Sequence, residues 1–348
     1  MNDLNYIGLI SHNDLDGYGC TVLLKLVAFY HPEIGIDRHN GSEMIYNISC
    51  DDRISSSINL RLNEMYINGP FPKSSNKILF VTDLRIDRKS IDNIIERFRS
   101  KKSSDNFIKV VMIDHHDYSS QYINNPIKTE YLETKVEIGK SGTLLFYEWL
   151  VDNGLLPSNN NRIRDFAHYV SMYDTYQWVN GVEPFAETLH IYFTISENNA
   201  FVDRMVRILE DMDIRNFKEY ILSNQEIMIA VEERRRDIKN TCALKASCAT
   251  ISQFNEYNIA SVACDRYVSA IGNYICEHNK DIDFCMMFII DTMTISLRTV
   301  KDDVNLNRIC SRLFKGGGHK KAAGARLDKE TFMKLMNDHL LIQRRDTR

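Results

Sequence analysis

The apolar residues of this chain gather into short continuous runs separated by helical patterns. Tyr6 to Ser11 (YIGLIS) is the first run, followed by a polar turn and a helical stretch from Gly17 to Tyr30. Lys77 to Thr82 (KILFVT) and Lys109 to Ile113 (KVVMI) are further runs, with an amphipathic stretch, Asp87 to Arg99, between them. Near-continuous apolar strands alternating with helices predict a parallel sheet buried on both faces. Thr143 to Leu150 and Arg162 to Met172 extend the helical layer, and Pro157 with Ser158 to Asn161 reads as a loop between them.

From about residue 195 to 246 the pattern is helical and charge-rich, with Arg234, Arg235 and Arg236 inside it. A second α/β unit follows. Thr250–Ile251, Ile259–Cys264, Phe284–Ile290 and Thr294–Arg298 read as strands; Tyr267–Glu277, Val304–Phe314 and Lys329–Leu341 read as helices. The expected fold class is therefore α/β. A parallel-sheet domain with helices on both faces spans 1–194, a helical connector spans 195–246, and a smaller α/β domain spans 247–348. No internal repeat is visible.

A length of 348 residues is a soft prior for two domains, and 44% hydrophobic with 26% charged residues is ordinary for a globular chain. Only 15 Gly and 6 Pro exclude collagen-like and linker-like chains. The net charge of −4 argues against coating long duplex nucleic acid by bulk charge, so any nucleic-acid contact should be local. No apolar run approaches the ~20 residues of a membrane-spanning helix. The N-terminus lacks the basic flank and apolar stretch of a signal peptide. Eight cysteines form no CxxC pair, which points to reduced thiols in a cytoplasm rather than to a zinc site or disulfides.

In open α/β sheets, ligands bind at the carboxyl ends of the strands, and here those ends carry acids and histidines. His12, Asp14 and Asp16 lie within one short segment (HNDLD), and alternation along an extended chain puts them on one side. Crowding an imidazole with two carboxylates favours a neutralising cation, and this donor set suits Mn, Mg or Fe. Asp83 directly follows KILFVT, and Asp114-His115-His116-Asp117 follows KVVMI. Asp174 stands in SMYDTYQW. Alone, Asp83 reads as a turn residue, and Asp174 carries little. Together, His12, Asp14, Asp16, Asp83, His115 and Asp174 suffice for two metal ions sharing a bridging carboxylate. A fifth segment, Gly316-Gly317-Gly318-His319 followed by two lysines, offers backbone N–H groups and positive charge to an anion. Arg298, just upstream, offers a guanidinium for a phosphate.

These motifs, SHNDLDG, Asp83, DHH at 114–116, Asp174 and GGGHKKAAG, in this order, resemble the DHH/DHHA1 phosphoesterase superfamily over roughly residues 7–327. SHNDLDGYGC and YDTYQW look most like its oligoribonuclease (nanoRNase) branch. The resemblance implies a two-domain enzyme with its active site between a DHH and a DHHA1 domain, using two Mn²⁺ ions, with Mg²⁺ as the alternative. It implies His12, Asp14 and Asp83 around one ion and Asp16, Asp83, His115 and Asp174 around the other. It implies His116 at the scissile phosphate, Asp114 orienting a neighbouring histidine, and Arg298 with Gly316–His319 gripping phosphate or ribose. The implied activity is a phosphodiesterase or exonuclease releasing nucleoside monophosphates from short RNA or DNA. Cyclic mono- or dinucleotides and 3′-phosphoadenosine 5′-phosphate are the alternative substrates. A cytoplasmic protein with no membrane partner is expected; oligomeric state is left open, with a homodimer among the options.

Overall fold

A computed structural model describes residues 4–36, 38–39, 42–43, 45–48, 76–84, 91–93, 96, 107–116, 122–123, 125–178 and 183–341. Asp117 and most of the amphipathic stretch Asp87–Arg99 lie outside these residues, and Ile91–Asn93 within that stretch are helical. The chain divides into two compact units, Met1–Val231 and Glu232–Arg348.

The first unit opens with β1 (Leu4–His12) and α1 (Leu15–Tyr30). Short strands follow: β2 (Gly35–Ile36), β3 (Arg38–His39), β4 (Ser42–Glu43) and β5 (Ile45–Ile48). Next come β6 (Asn76–Thr82), β7 (Phe107–Asp114) and β8 (Leu132–Val136). The helices α2 (Gly142–Asp152), α3 (Asn161–Asp174), α4 (Pro184–Ile195), α5 (Asn198–Glu210) and α6 (Phe217–Ser223) complete it. A long helix, α7 (Gln225–Ser247), begins in this unit and ends in the next.

The main sheet is parallel throughout, in the order β2-β1-β6-β7-β8, with β5 also pairing along β1. Its strands are apolar in successive positions because both faces are covered. On one face Ile10, Val81 and Met112 join Ile91 and Tyr122 in one core cluster. On the other, Phe80 packs against Phe146 and Trp149 of α2, with ring centroids 4.8 and 5.2 Å apart. Close to their carboxyl ends, β1 and β6 are tied by hydroxyls: Thr82 Oγ1 donates to Ser11 Oγ at 2.8 Å, and Ser11 Oγ to Thr82 O at 3.1 Å. The β3–β4 pair forms a separate two-stranded ribbon.

The second unit contains β9 (Thr250–Phe254), β10 (Tyr257–Ala263), α8 (Val268–His278), β11 (Phe284–Ile289) and β12 (Thr294–Arg298). Then come α9 (Leu306–Phe314), β13 (Gly317–Gly318), β14 (Ala322–Arg326) and α10 (Lys329–Met336), which continues as a π-helical turn, Asn337–Leu341. Its sheet runs β13-β14-β12-β11-β10-β9, and only β10–β11 pair in parallel. One face packs Phe284, Met286, Phe288 and Leu297 with Ile309 and Phe332. The other packs Met287 with Ile271 and Ile275 of α8, and with Cys242, Cys264, Cys276 and Cys285. These thiols serve as small apolar groups. Burial pushes Cys276 up to about 12 and Cys264 to about 11, which leaves them protonated and inert.

The glycine segment is part of the second sheet. Gly317 and Gly318 pair with Gly324 and Ala323 as an edge hairpin. A Cβ on Gly318, whose φ is 146°, would lie 2.4 Å from the Ala322 carbonyl oxygen and 2.6 Å from Ala323 Cα. The amides at either end are already used: Gly316 N donates to Cys310 O at 3.2 Å and His319 N to Ala322 O at 2.6 Å. Close backbone pairing therefore accounts for at least Gly318 without an anion.

Candidate metal centre

The three adjacent strands β1, β6 and β7 end side by side, and each hands its next residues to the same edge of the sheet. His12 is the last residue of β1, and its carbonyl accepts from Asn47 Nδ2 of β5 at 2.8 Å. Asp14 is the N-cap of α1 and accepts from Gly17 N at 3.0 Å, and Asp16 lies in the first helical turn. The pleat therefore does not align His12, Asp14 and Asp16, as alternation predicts. A strand-to-helix turn gathers them instead.

Asp83 follows β6 with a left-handed φ of 53°, a conformation that Asp adopts more readily than most residues. Its amide extends the β6–β7 ladder to Ile113 O at 3.0 Å. Asp114 closes β7, followed by His115 and His116, and Asp174 is the last residue of α3.

These side chains converge. Three overlapping groups have ligand atoms within 4.8 Å of one another: His12, Asp14 and Asp83; Asp16, His115 and Asp174; and Asp83, His115 and His116. His12 Nδ1 lies 2.7 Å from Asp14 Oδ2 and 3.9 Å from Asp83 Oδ2. His115 Nε2 lies 3.1 Å from Asp83 Oδ1 and 3.8 Å from Asp16 Oδ2, and its Nδ1 lies 3.6 Å from Asp174 Oδ2. His116 Nδ1 is 2.7 Å from an oxygen of Asp114, which is fully buried. A carboxylate only accepts, so Nδ1 carries the proton and Nε2 is the basic nitrogen of the neutral ring. The histidine rings are 4.5 Å apart.

Asp16 and Asp83 are each only 2% exposed and His115 8%. Burial, then the charges of Asp16 and Asp14, hold the Asp83 carboxyl well above the usual carboxylate range. Burial and the charge of Asp16 likewise push Asp174 up to about 7. Desolvation would also raise Asp14, but the hydrogen bond and charge of His12 outweigh it and bring it to about 2. Burial alone would depress His115, yet the carboxylates of Asp174 and Asp16 raise it. Asp83 Oδ2 is buried with no hydrogen-bond partner among the described residues. A dense, partly orphaned set of carboxylates with imidazoles fits a divalent cation, which would supply the missing partner and neutralise the charge.

Both oxygens of Asp16 are held by the N-terminus of α2, accepting from Gly142 N at 2.7 Å and Thr143 N at 2.8 Å. The sequence alone does not mark Ser141, Gly142 and Thr143 as partners of this edge. The visible clue was a serine, the N-cap of α2, before an apolar helical run. Arg298 and the Gly316–His319 segment lie in the second unit. There the Arg298 guanidinium donates to Ser269 Oγ at 2.6 Å and Ser296 Oγ at 3.0 Å, and its Nε is buried with no partner among the described residues.

No family model matches the chain. It is 25% identical over 333 residues to "Oligoribonuclease NrnB" of Bacillus subtilis, spanning 93% of this chain and 73% of that protein. The crystal structure of RecJ in complex with Mn²⁺ from Thermus thermophilus superposes with a TM-score of 0.53 at 12% identity, covering 96% of this chain and 51% of that one. The likeness to RecJ is one of fold, a parallel sheet with helices followed by a second sheet. A further relative is the "3',5'-cyclic-nucleotide phosphodiesterase" of Helicobacter pylori, 21% identical over 358 residues, spanning 93% of this chain and 94% of that protein. The triplet that carries the resemblance in the sequence, Asp114-His115-His116, stands at the end of the parallel strand β7.

Proposed function

We propose that this chain is a metal-dependent phosphodiesterase that hydrolyses short oligonucleotides to nucleoside monophosphates. The observation that carries the reading is the meeting of six ligand-type side chains from four distant segments: His12, Asp14, Asp16, Asp83, His115 and Asp174. The 25% identity to an oligoribonuclease over nearly the whole chain supports the substrate class.

In this reading two Mn²⁺ ions would be held by His12, Asp14, Asp16, Asp83, His115 and Asp174, with Asp83 as the shared ligand. The ions would supply Lewis-acid stabilisation of the phosphoryl group and a nucleophilic water at neutral pH. The protein side chains do the rest. Asp114 fixes the ring of His116 through Nδ1, so Nε2 faces the reacting phosphate and, when protonated, donates to a phosphoryl or leaving oxygen. Asp16 and Asp83, sealed from solvent, keep the electrostatic field of the site from being screened by water. Arg298 and His319 bind the substrate's phosphate or ribose.

The deciding experiment incubates the full chain with end-labelled two- to five-residue RNA and DNA in the presence of Mn²⁺. Mononucleotide release, abolished by chelation, is expected. No release from any oligomer by protein carrying bound metal would overturn the reading. The relative from Helicobacter pylori favours a second reading on the same centre, hydrolysis of cyclic nucleotides. Comparing kcat/KM for linear dinucleotides and cyclic nucleotides separates the two.

A further inference from the structure

We propose that Ser141-Gly142-Thr143, at the start of α2, is the positioning element of the metal centre: one short segment sets the geometry of Asp16, Asp83 and Asp174 together. The inference rests on the proposed metal-dependent function and concerns residues that ligate nothing themselves.

Asp16 is held at three points. Its carboxylate oxygens accept from the amides of Gly142 and Thr143, and its main-chain carbonyl accepts from Thr143 Oγ1 at 2.5 Å. The first amides of a helix have no partner within the helix and carry the positive end of its dipole. A carboxylate placed there is fixed in orientation by both amides. Thr143 is fully buried, so its hydroxyl has little freedom to find another acceptor.

Asp83 rests against the same segment. A Cβ at position 142 would lie 2.7 Å from Asp83 Cβ, 3.2 Å from Asp83 Cα and 3.1 Å from Asp16 Oδ2. Only glycine lets α2 begin this close to both carboxylates, and Asp83 is the residue with the left-handed backbone.

Asp174 is tied in through the helix that carries it. Ser141 N donates to Ser171 Oγ at 3.0 Å, and Ser171 lies three residues, about one turn, before Asp174 on α3. Both serines are buried. Three carboxylates from three separate stretches of chain thus take their positions from three consecutive residues. Groups that orient metal ligands typically change metal affinity by about 10–100-fold when removed.

The test uses the full chain stripped of metal and titrated with Mn²⁺ alone, with free ion followed by electron paramagnetic resonance. Thr143→Val keeps the shape and removes the hydroxyl; Thr143→Ser keeps the hydroxyl and removes the methyl. The expected result is that Thr143→Val weakens Mn²⁺ binding by about tenfold or more while Thr143→Ser restores wild-type binding. In turnover, Thr143→Val should lower kcat with KM little changed. Gly142→Ala should lose binding at the Asp83 side, and if that variant does not fold, the Thr143 pair still decides. Wild-type Mn²⁺ affinity in Thr143→Val overturns the inference. So does an equal loss in the Val and Ser variants that follows their melting temperatures, since that marks packing alone. A wild-type chain that binds no divalent cation overturns the proposed function instead, so the two failures are distinguishable.

Discussion

Oδ1 of Asp83 lies 3.1 Å from His115 Nε2, while its Oδ2, equally buried, has no hydrogen-bond partner among the described residues. A buried carboxylate with one oxygen unanswered costs free energy that a neutral isostere does not. The site is thus arranged for occupancy at the expense of the empty protein.

Asp83→Asn separates these two effects. Asn tolerates the left-handed backbone at this position, so the turn is kept while the charge is lost. Turnover should fall by about three orders of magnitude, a barrier increase of ~4 kcal/mol, and Asp83→Ala should be equally inactive. The metal-stripped Asn variant should melt higher than stripped wild type. Steady-state turnover measurements and differential scanning calorimetry check both halves, and full activity in either variant refutes a bridging role.

The pH dependence of the stripped protein follows from the same carboxyls. Asp174 moves from an ordinary 3.8 to about 7 in the folded chain, Asp83 is also raised, and His115 shifts upward too. Groups whose folded pKa is raised contribute stability that is fully present below the unfolded pKa and lost as pH rises through the folded one. For Asp174 that window runs from 3.8 to about 7. The melting temperature of chelated protein should therefore fall between pH 5 and pH 8, and Mn²⁺ should reverse the trend, binding with release of protons. A rise in chelated stability over that range would contradict the assignment.

Asp114→Asn should leave metal content unchanged and lower kcat by about 10–100-fold, the usual effect of losing a histidine's orienting carboxylate. An amide in place of Asp114 can donate to Nδ1 of His116 and so favours the tautomer with the proton on Nε2. The pH–rate profile should lose the limb belonging to His116, and an unaltered profile would remove it from the reaction.

In the second unit, His319→Ala should raise KM for short oligonucleotides with kcat little changed. Arg298→Lys should do the same, because a lysine cannot reproduce the planar fork that reaches Ser269 and Ser296. Steady-state kinetics on a dinucleotide suffice; a loss confined to kcat would assign these residues to the chemistry instead.

Much of the first unit was legible because its strands are apolar at successive positions and end abruptly in charge. Ile113-Asp114-His115 shows the change from buried strand to chemical edge within three residues. The reason for the clustering of His12, Asp14 and Asp16 was not legible. Residue spacing does not reveal where a strand stops, and Asp14, rather than Asp16, caps the helix. The glycines at 316–318 suggest backbone amides open to an anion because composition does not reveal that Gly317 and Gly318 pair in a hairpin. Ser141, Gly142 and Thr143 were silent for another reason: the carboxylate they hold is over 120 positions away in the chain. Short-range patterns describe a helix start but not the distant partner it serves. Asp174 carried little by itself for the same reason, since its meaning comes from His115 across the fold.

Adjacent strands in a sheet lie about 4.8 Å apart, and β1, β6 and β7 are immediate neighbours. The ruler that spaces His12, Asp83 and His115 is therefore the sheet itself, not the crossovers that join the strands. Those crossovers can lengthen, shorten or diverge while the edge that carries the donors keeps its dimensions.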